Sequence, residues 1–233
     1  MKEALRIIET VRKQNRKFLL EHEAKRLCEL FNIPVAKSVL VKTVKEAVKV
    51  VNEIGYSVVL KIVSPDIVHK SDIGGVKLNI KDPEEVKENF LKIMENVKKR
   101  KPKARIEGIL VQEMVPQGTE VIVGAIKDPF FGHAVMFGLG GIFVEVLRDI
   151  SFRIVPITRD DAYQMIRETK AYPILEGYRT GGPRDIEAVV EILFNVSRML
   201  EKTKTIKELD LNPVMVYEKG KGAKVVDARI FLE

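Results

Sequence analysis

A lysine inside an apolar run is the first sign of chemistry in this sequence. Lys61 lies within residues 58–63, whose aliphatic and β-branched side chains predict a buried strand. Lysine is rarely buried without a counter-charge, so Lys61 indicates a fixed anion close to the strand. A second predicted strand, at residues 76–80, contains Lys77. The two lysines therefore indicate a site that handles phosphate groups.

The loop between these strands contains a histidine followed by two glycines. Pro65 ends the first strand, and polar residues lead through His69 to Gly74 and Gly75. A metal role for His69 is disfavoured, because no second histidine or cysteine stands at ligand spacing. A loop histidine can act as a general base, or it can accept a phosphoryl group as a nucleophile. Composition and spacing leave these two roles open.

A second cluster of polar residues lies near the C-terminal end of the chain. Glu208, Asp210 and Asn212 alternate along a predicted strand, so they share one face of it. Asp227 lies on the predicted partner strand, where it can face Asn212. Hard oxygen ligands of this kind, together with phosphate oxygens, suit Mg²⁺. The alternative is a solvated hairpin edge, and we favour the metal site because Asp227 stands between Val226 and Ala228.

A third stretch is a candidate for binding a nucleotide base. Glu113, Met114 and Val115 end a predicted strand at an expected junction between two lobes. Backbone groups there can hydrogen-bond a ligand held between the lobes, and Glu120 can reach a ribose. The alternative is an ordinary turn after a strand.

The elements that position these residues change in character along the chain. The first part predicts a helix over residues 3–31, a strand over 35–41, a helix between Thr43 and Gly55, and a helix from Asp82-Pro83 to about Lys99. Strands that alternate with amphipathic helices are typical of a small α/β lobe. From Ile106 onwards, short β-rich runs separated by turn residues predict an antiparallel sheet.

The second part also contains two helices and ends in a hairpin. Its predicted strands and helices lie at residues 108–114, 120–126, 133–137, 143–147 and 152–157 (strands), 160–168 and 185–201 (helices), and 208–217 and 223–232 (strands). We therefore predict an α/β (α+β) fold with two lobes, residues 1–105 and residues 106–233.

Composition excludes several classes of protein. The chain has 233 residues, of which 45% are hydrophobic and 31% charged, as in ordinary globular proteins. The formal net charge is +7, but lysines alternate with glutamates and aromatics are only 6%, so we expect no nucleic-acid partner. The single cysteine, Cys28, and the lack of a long apolar stretch predict a cytoplasmic protein with no membrane partner.

Four stretches of the sequence together resemble one family. They are residues 58–76 (VVLKIVSPDIVHKSDIGGV), 111–115 (VQEMV), 137–145 (FGLGGIFVE) and 208–213 (ELDLNP). The chain resembles the ATP-grasp family over nearly its whole length, and within it the β subunits of ADP-forming acetyl-CoA (acyl-CoA) synthetases, which are relatives of succinyl-CoA synthetase. The resemblance implies an ATP-grasp fold with the nucleotide bound between two lobes.

The resemblance also implies a reaction and a partner. Acyl-CoA, ADP and phosphate would be converted reversibly to acid, CoA and ATP, with Mg²⁺ and ADP/ATP bound by this chain. A CoA-binding α subunit would be required, in an α2β2 assembly, because no dinucleotide-type glycine motif follows an N-terminal strand here.

Residue roles follow from the same resemblance. His69 would pass a phosphoryl group to ADP, and Asp210 would either orient the phosphohistidine or join the metal shell. The other implied assignments are nucleotide binding by Lys61, Glu113, Met114, Val115 and Glu120, and Mg²⁺ binding by Asn212 and Asp227. From the loop itself we also predict nucleotide binding by Gly74, Gly75 and Lys77. Two alternatives are an ATP-grasp carboxylate–amine ligase, which needs no phosphohistidine, and a non-catalytic basic module that binds nucleic acid.

Overall fold

The computed structural model describes residues 1–67, 69–140, 148–179 and 181–233, which group into two compact units. Ala36–Met114 forms the first, called the inserted unit below. Met1–Val35 and Val115–Glu233 together form the second, called the discontinuous unit. Gly141, Glu145 and the strand predicted at residues 143–147 lie outside the described residues.

Helices alternate with strands in the first half of the chain, and strands dominate the second half. In chain order the elements are α1 (Lys2–Lys13), α2 (Glu21–Leu30), β1 (Ser38–Val41), α3 (Val44–Ile54), β2 (Val58–Val63), β3 (Val76–Ile80), α4 (Pro83–Arg100), β4 (Gly108–Glu113), β5 (Thr119–Asp128), β6 (Gly132–Leu139), β7 (Ile150–Ile154), α5 (Arg159–Arg167), α6 (Tyr172–Leu175), α7 (Ile186–Lys202), β8 (Ile206–Val216), β9 (Ala223–Val225) and β10 (Ala228–Leu232). None of the described helices combines the length and apolar character needed to cross a bilayer.

The inserted unit contains an antiparallel sheet of β1, β4, β2 and β3, in that order. Helices α3 and α4 pack on one face of this sheet, over a core that includes Leu60, Ile62, Phe90 and Ile93. Both helices begin at the capping residues expected from the sequence. Thr43 forms a capping box with Glu46 on α3, and Asp82 caps α4.

The discontinuous unit contains a second antiparallel sheet, ordered β10-β8-β5-β6-β7, with β9 paired to the far end of β8. Helices α5 and α7 contact this sheet, and α2 contacts β10. One apolar cluster joins these helices to the inward side chains of the strands, including Phe137 and Leu211. This mixture of helices and two antiparallel sheets confirms the predicted fold class.

The boundaries of the two units differ from the predicted boundary, which lay between residues 105 and 106. Strand β4 lies between β1 and β2, so it belongs to the inserted unit. Residues 1–35 pack with the C-terminal part of the chain. Leu19, for example, donates its backbone N–H to the carbonyl oxygen of Ile230 at 2.9 Å. Contacts between residues distant in sequence therefore set the boundaries.

Two predicted elements are each divided in the structure. The helix predicted over residues 3–31 is wrong between α1 and α2, where Asn15 has a φ of 54° and Phe18 bridges to Phe231. The predicted strand over residues 223–232 is likewise two strands, β9 and β10, separated by Val226 and Asp227. In the first case pairing with a neighbouring strand overrides the local helical pattern.

Candidate functional site

Lys61 lies at the centre of β2, hydrogen-bonded between two other strands. In the register it stands opposite Val76 of β3 and Leu110 of β4. Its neighbours Leu60 and Ile62 point into the core under the helices, so Lys61 points to the opposite face. The residue is only 9% exposed. The structure thus confirms a buried lysine in this strand, as the sequence predicted.

His69 lies in the loop that connects β2 to β3, and it is exposed. Within the described residues its imidazole makes no hydrogen bond. Ile67, two residues earlier, is buried in the core of the inserted unit, and Ile73 is buried after it. The imidazole is thus accessible to a reaction partner, while Ile67 and Ile73 on either side of it are anchored in the core.

Gly74 and Gly75 allow a close approach at the end of this loop. Gly74 has a φ of +68°, and a Cβ there would lie 2.7 Å from Nδ2 of Asn96. A Cβ on Gly75 would lie 2.5 Å from Cγ2 of Ile62. The glycines therefore have a packing role, and their contact with a nucleotide stays a prediction. Lys77 follows on β3, half-buried and opposite Leu60.

The end of β4 contains the residues predicted to bind the base. Glu113 pairs with Lys37: its Oε1 accepts the backbone N–H of Lys37 at 2.7 Å, and its own N–H donates to the Lys37 carbonyl at 2.9 Å. The N–H of Met114 donates to the carbonyl of Ser57 at 2.9 Å. The boundary between the units falls between Met114 and Val115, inside the predicted hinge.

Strand β8 of the discontinuous unit arranges the acidic cluster. Leu209 and Leu211 are buried, while Glu208 and Asn212 are exposed and Asp210 is half-buried. This alternation confirms that the three polar side chains share the face of β8 opposite the core.

Asp227 faces this cluster from the short connection between β9 and β10. The backbone N–H of Asn212 donates to the carbonyl oxygen of Asp227 at 3.2 Å, which places the two residues opposite each other as predicted. Oδ1 of Asp227 accepts the N–H of Ala228 at 3.0 Å, and Oδ2 lies 3.8 Å from Nε of Arg229. Arg229 itself stands opposite Asp210 in the register.

Asp210 is partly buried and lies near two other carboxylates. Burial raises the pKa of its carboxyl group, the guanidinium of Arg229 opposes that shift, and the negative charges of Asp227 and Glu208 add to it. A cation bound here would relieve the repulsion between the carboxylates. Among the described residues no three His, Cys, Asp or Glu side chains form a metal site. A Mg²⁺ ion here would therefore also need the amide oxygen of Asn212 and phosphate oxygens of the nucleotide. Mg²⁺ in proteins is usually bound by one or two carboxylates together with such phosphate oxygens.

Glu120 lies near the start of β5, exposed and opposite Met215 of β8. Its carbonyl oxygen accepts the N–H of Gly140 at 2.8 Å, and a Cβ on Gly140 would lie 2.9 Å from Cβ of Glu120. Gly140 therefore serves the close packing of two strands beside Glu120. Arg153, which follows the glycine run, is paired with the carboxylate of Glu168.

Sequence reasoning missed the side chains that hold the histidine loop in place. Arg105 binds the carboxylate of Asp66, and Asn96 and Arg100 of α4 donate to backbone carbonyls of the loop. The only local signal is that Asn96 and Arg100 are four residues apart, on one face of the helix. Their target carbonyls are distant in sequence.

Comparison with known proteins places the chain in one family. The family model of the ATP-grasp domain matches residues 10–232. The β subunit of acetate–CoA ligase [ADP-forming] II from Pyrococcus furiosus is 54% identical over 99% of this chain and 98% of its own length. Acetate–CoA ligase [ADP-forming] I from Archaeoglobus fulgidus is 52% identical over 88% of this chain, which matches only 29% of that longer protein.

Solved structures agree with this placement. Two structures of acetyl-coenzyme A synthetase 1 from Ca. Korarchaeum cryptofilum superpose with TM-scores of 0.93 and 0.88, at 49% and 47% identity, over 99% of this chain and all of the matched chain. One contains coenzyme A, acetyl-coenzyme A and a phosphorylated phosphohistidine segment in a "site I" orientation. The other contains coenzyme A and Mg-AMPPCP, with that segment pointing towards the nucleotide-binding site. The chain belongs to the ATP-grasp family, in the branch formed by the β subunits of ADP-forming acetate–CoA ligases.

Proposed function

We propose that this chain is the nucleotide-binding β subunit of an ADP-forming acyl-CoA synthetase. Together with a second subunit it converts acyl-CoA, ADP and phosphate reversibly to acid, CoA and ATP. The observation that supports this most directly is the exposed His69, which lies in the loop after the strand containing the buried Lys61. Relatives about half identical in sequence have a phosphohistidine segment and bind a nucleotide analogue.

His69 is the proposed carrier of the phosphoryl group. An imidazole nitrogen attacks phosphorus, so that an N–P bond forms and the bond to the donor oxygen breaks. A terminal phosphate oxygen of ADP then attacks the same phosphorus, which breaks the N–P bond, forms ATP and restores the imidazole. Such transfers depend on positioning and on cations around the phosphoryl oxygens more than on further covalent chemistry.

The remaining site residues have proposed positioning roles. Lys61 and Lys77 neutralise nucleotide phosphates, Glu120 binds the ribose, and the segment from Glu113 to Val115 contacts adenine. Asn212 and Asp227 would hold Mg²⁺, with Asp210 beside them. When bound, the ion supplies charge neutralisation at the phosphate oxygens.

A separate CoA-binding α subunit is the proposed partner. The chain spans nearly all of the Pyrococcus β subunit but only 29% of the single-chain Archaeoglobus ligase. We propose that the rest of that longer ligase corresponds to the partner of this chain. We propose an α2β2 assembly. Because ADP and CoA are intracellular metabolites, we also propose a cytoplasmic location.

The test is to trace phosphate on His69 in the complex purified with its partner subunit. ATP radiolabelled at the γ-phosphate should label the β chain in a form that is acid-labile and alkali-stable. Trypsin cleavage should place the label on the peptide Ile62–Lys70, which contains His69 and no other histidine. His69→Asn should abolish both the label and CoA-dependent ATP formation. A His69→Asn complex that still forms ATP would support a ligase without a phosphohistidine and refute this proposal.

A further inference from the structure

The loop that contains His69 is tied to the inserted unit on both sides of the histidine. The ties lie at Asp66 and at Asp72, each three residues from His69. We call residues 66–74 the histidine segment. All of the ties come from the same compact unit as the segment itself.

The first tie, called the Asp66 clasp, joins Asp66 to Arg105. Oδ2 of Asp66 accepts the backbone N–H of Arg105 at 2.8 Å and its Nε at 3.1 Å, while Oδ1 accepts Nη2 at 2.9 Å. A carboxylate that receives a guanidinium in this two-point manner is held in one orientation. The entry to the segment is therefore fixed to residue 105, just before β4.

The second tie, called the α4 clasp, holds the exit of the segment. Nη1 of Arg100 donates to the carbonyl of Asp72 at 2.5 Å, and Nδ2 of Asn96 donates to the carbonyl of Gly74 at 3.2 Å. The two donors are one helical turn apart on α4, so together they form a fixed pair of donors. Gly74 is the residue that lets Asn96 approach this closely.

Both clasps have good hydrogen-bond geometry, but they remain accessible to water because Arg105 and Arg100 are exposed. The side chain of Arg105 is 69% exposed and that of Asp66 is 36% exposed, so water can replace their bonds when they separate. The buried pair Lys25 and Glu21, each with a 2% exposed side chain, shows the opposite case, because separating it would leave buried charges. The clasps therefore define a position from which the segment can be released.

We propose that the two clasps hold the histidine segment on the inserted unit and must open when the segment turns towards the partner subunit. With both clasps closed, the Cα of His69 stays within about 10 Å of the Cα of Asp66 and of Asp72, because each stands three positions away. The relative from Ca. Korarchaeum cryptofilum has its segment in two orientations. This inference rests on the proposed function and names Arg105, Asn96 and Arg100 as positioning residues for it.

Hydrogen–deuterium exchange on the complex with its partner subunit tests the clasps without turnover. Arg105→Ala or Arg100→Ala should speed exchange of the segment's amides about threefold, and the double variant about tenfold or more, with α4 and β2 unchanged. The matched control is Arg26→Ala. Arg26 is an exposed arginine bound to Glu3 and Glu29, outside the inserted unit. Wild-type exchange in the double variant, or equal acceleration of α4 and β2, would overturn the proposal.

A reversible crosslink tests whether the Asp66 clasp must open. The hydrogen bond from the Arg105 backbone to Asp66 shows that the two main chains run close together, so Asp66→Cys with Arg105→Cys should form a disulfide. The native Cys28 is buried and does not compete. ATP formation should fall about tenfold or more on oxidation and return with reductant, whereas each single variant stays insensitive.

Equal turnover of the oxidised and reduced double variant would show that the segment moves with this clasp closed, and would refute the proposal. The exchange experiment does not depend on phosphorylation. If His69 takes no label while the clasp variants still accelerate exchange, the proposed function fails and the clasps stand. If the label appears on His69 but exchange is unchanged in the clasp variants, the clasp proposal fails and the proposed function stands.

Discussion

Asn212 and Asp227 face each other through a backbone hydrogen bond of 3.2 Å, although they stand fifteen positions apart in the chain. The pairing brings the amide of Asn212 on β8 and the carboxylate of Asp227, between β9 and β10, next to each other. Burial raises the pKa of the Asp210 carboxyl group, and the negative charge of Asp227 nearby adds to that shift. The same backbone contact therefore brings together the two residues that we propose as Mg²⁺ ligands.

Asp227→Asn should weaken binding of Mg²⁺ with ADP by about tenfold or more, because an amide is a poorer ligand than a carboxylate. Competition with Mn²⁺, followed by electron paramagnetic resonance, measures the change. Glu208→Gln is the control, since Glu208 shares the face of β8 but stands opposite Phe231. Equal weakening in both variants would mean that general negative charge, rather than ligation, attracts the ion.

Lys61→Met should weaken ADP binding by about tenfold, because the methionine keeps an apolar chain in the buried strand but removes the charge. Titration calorimetry with Mg-ADP measures the affinity. Lys45→Met removes an exposed lysine from α3 of the same unit and should leave the affinity within about twofold of wild type. Unchanged affinity in Lys61→Met would remove this lysine from the nucleotide site.

The Asp66 clasp has a pH signature. Hydrogen bonds from Arg105 lower the pKa of the Asp66 carboxyl group from 3.8 to about 2. Because the folded pKa is the lower one, the contribution of the clasp to stability is fully present above pH 3.8 and is lost as pH falls through about 2. In an NMR titration of the carboxyl carbon, Arg105→Ala should raise the Asp66 pKa towards its usual value. The rise should be incomplete, because the backbone N–H of residue 105 remains. An ordinary pKa in the wild type would show that the clasp is open in solution.

Cys28 should be inert towards thiol reagents in the folded protein. Burial raises the pKa of its thiol to about 12, so little thiolate exists at neutral pH. We expect Ellman's reagent to detect no thiol at pH 8 until urea unfolds the discontinuous unit, and then one thiol per chain. Rapid reaction of the native protein would show that α2 opens readily.

Asp185→Ala should lower the free energy of unfolding of the discontinuous unit by about 2–4 kcal/mol. Asp185 caps α7 by accepting the N–H of Ala188 at 3.2 Å and also accepts the N–H of Gly222 at 2.7 Å. Urea denaturation measures the loss. Asp82→Ala removes an exposed cap that accepts a single N–H, from Glu85, and should cost only about 1 kcal/mol. Equal losses would mean that the Gly222 bond adds nothing.

Local patterns predicted the elements whose causes are local. The capping residues Thr43 and Asp82 start α3 and α4 as expected, because a cap depends on residues three positions apart. The shared face of Glu208, Asp210 and Asn212 follows from the two-residue period of a strand. The break between α1 and α2 was missed, because it depends on pairing with β10, more than two hundred residues along the chain.

The residues of the candidate site were likewise predictable only where their signal is local. Residue types identified Lys61, His69 and the acidic cluster, because a buried lysine and clustered carboxylates are conspicuous in sequence. The packing role of Gly74 was not predictable, because it depends on Asn96 in α4. Arg105 was missed for a similar reason, since an arginine before a strand gives no sign of the carboxylate it binds.

The pairing of Leu19 with Ile230 has a consequence for biosynthesis. Residues 36–114 are contiguous and include all the strands of their own sheet. The inserted unit can therefore fold soon after it leaves the ribosome. Residues 1–35 are synthesised first but find their partners only when β10 emerges. We therefore expect a nascent chain that ends before β10 to contain a folded inserted unit and an unfolded segment 1–35. Chaperones recognise such partly folded chains.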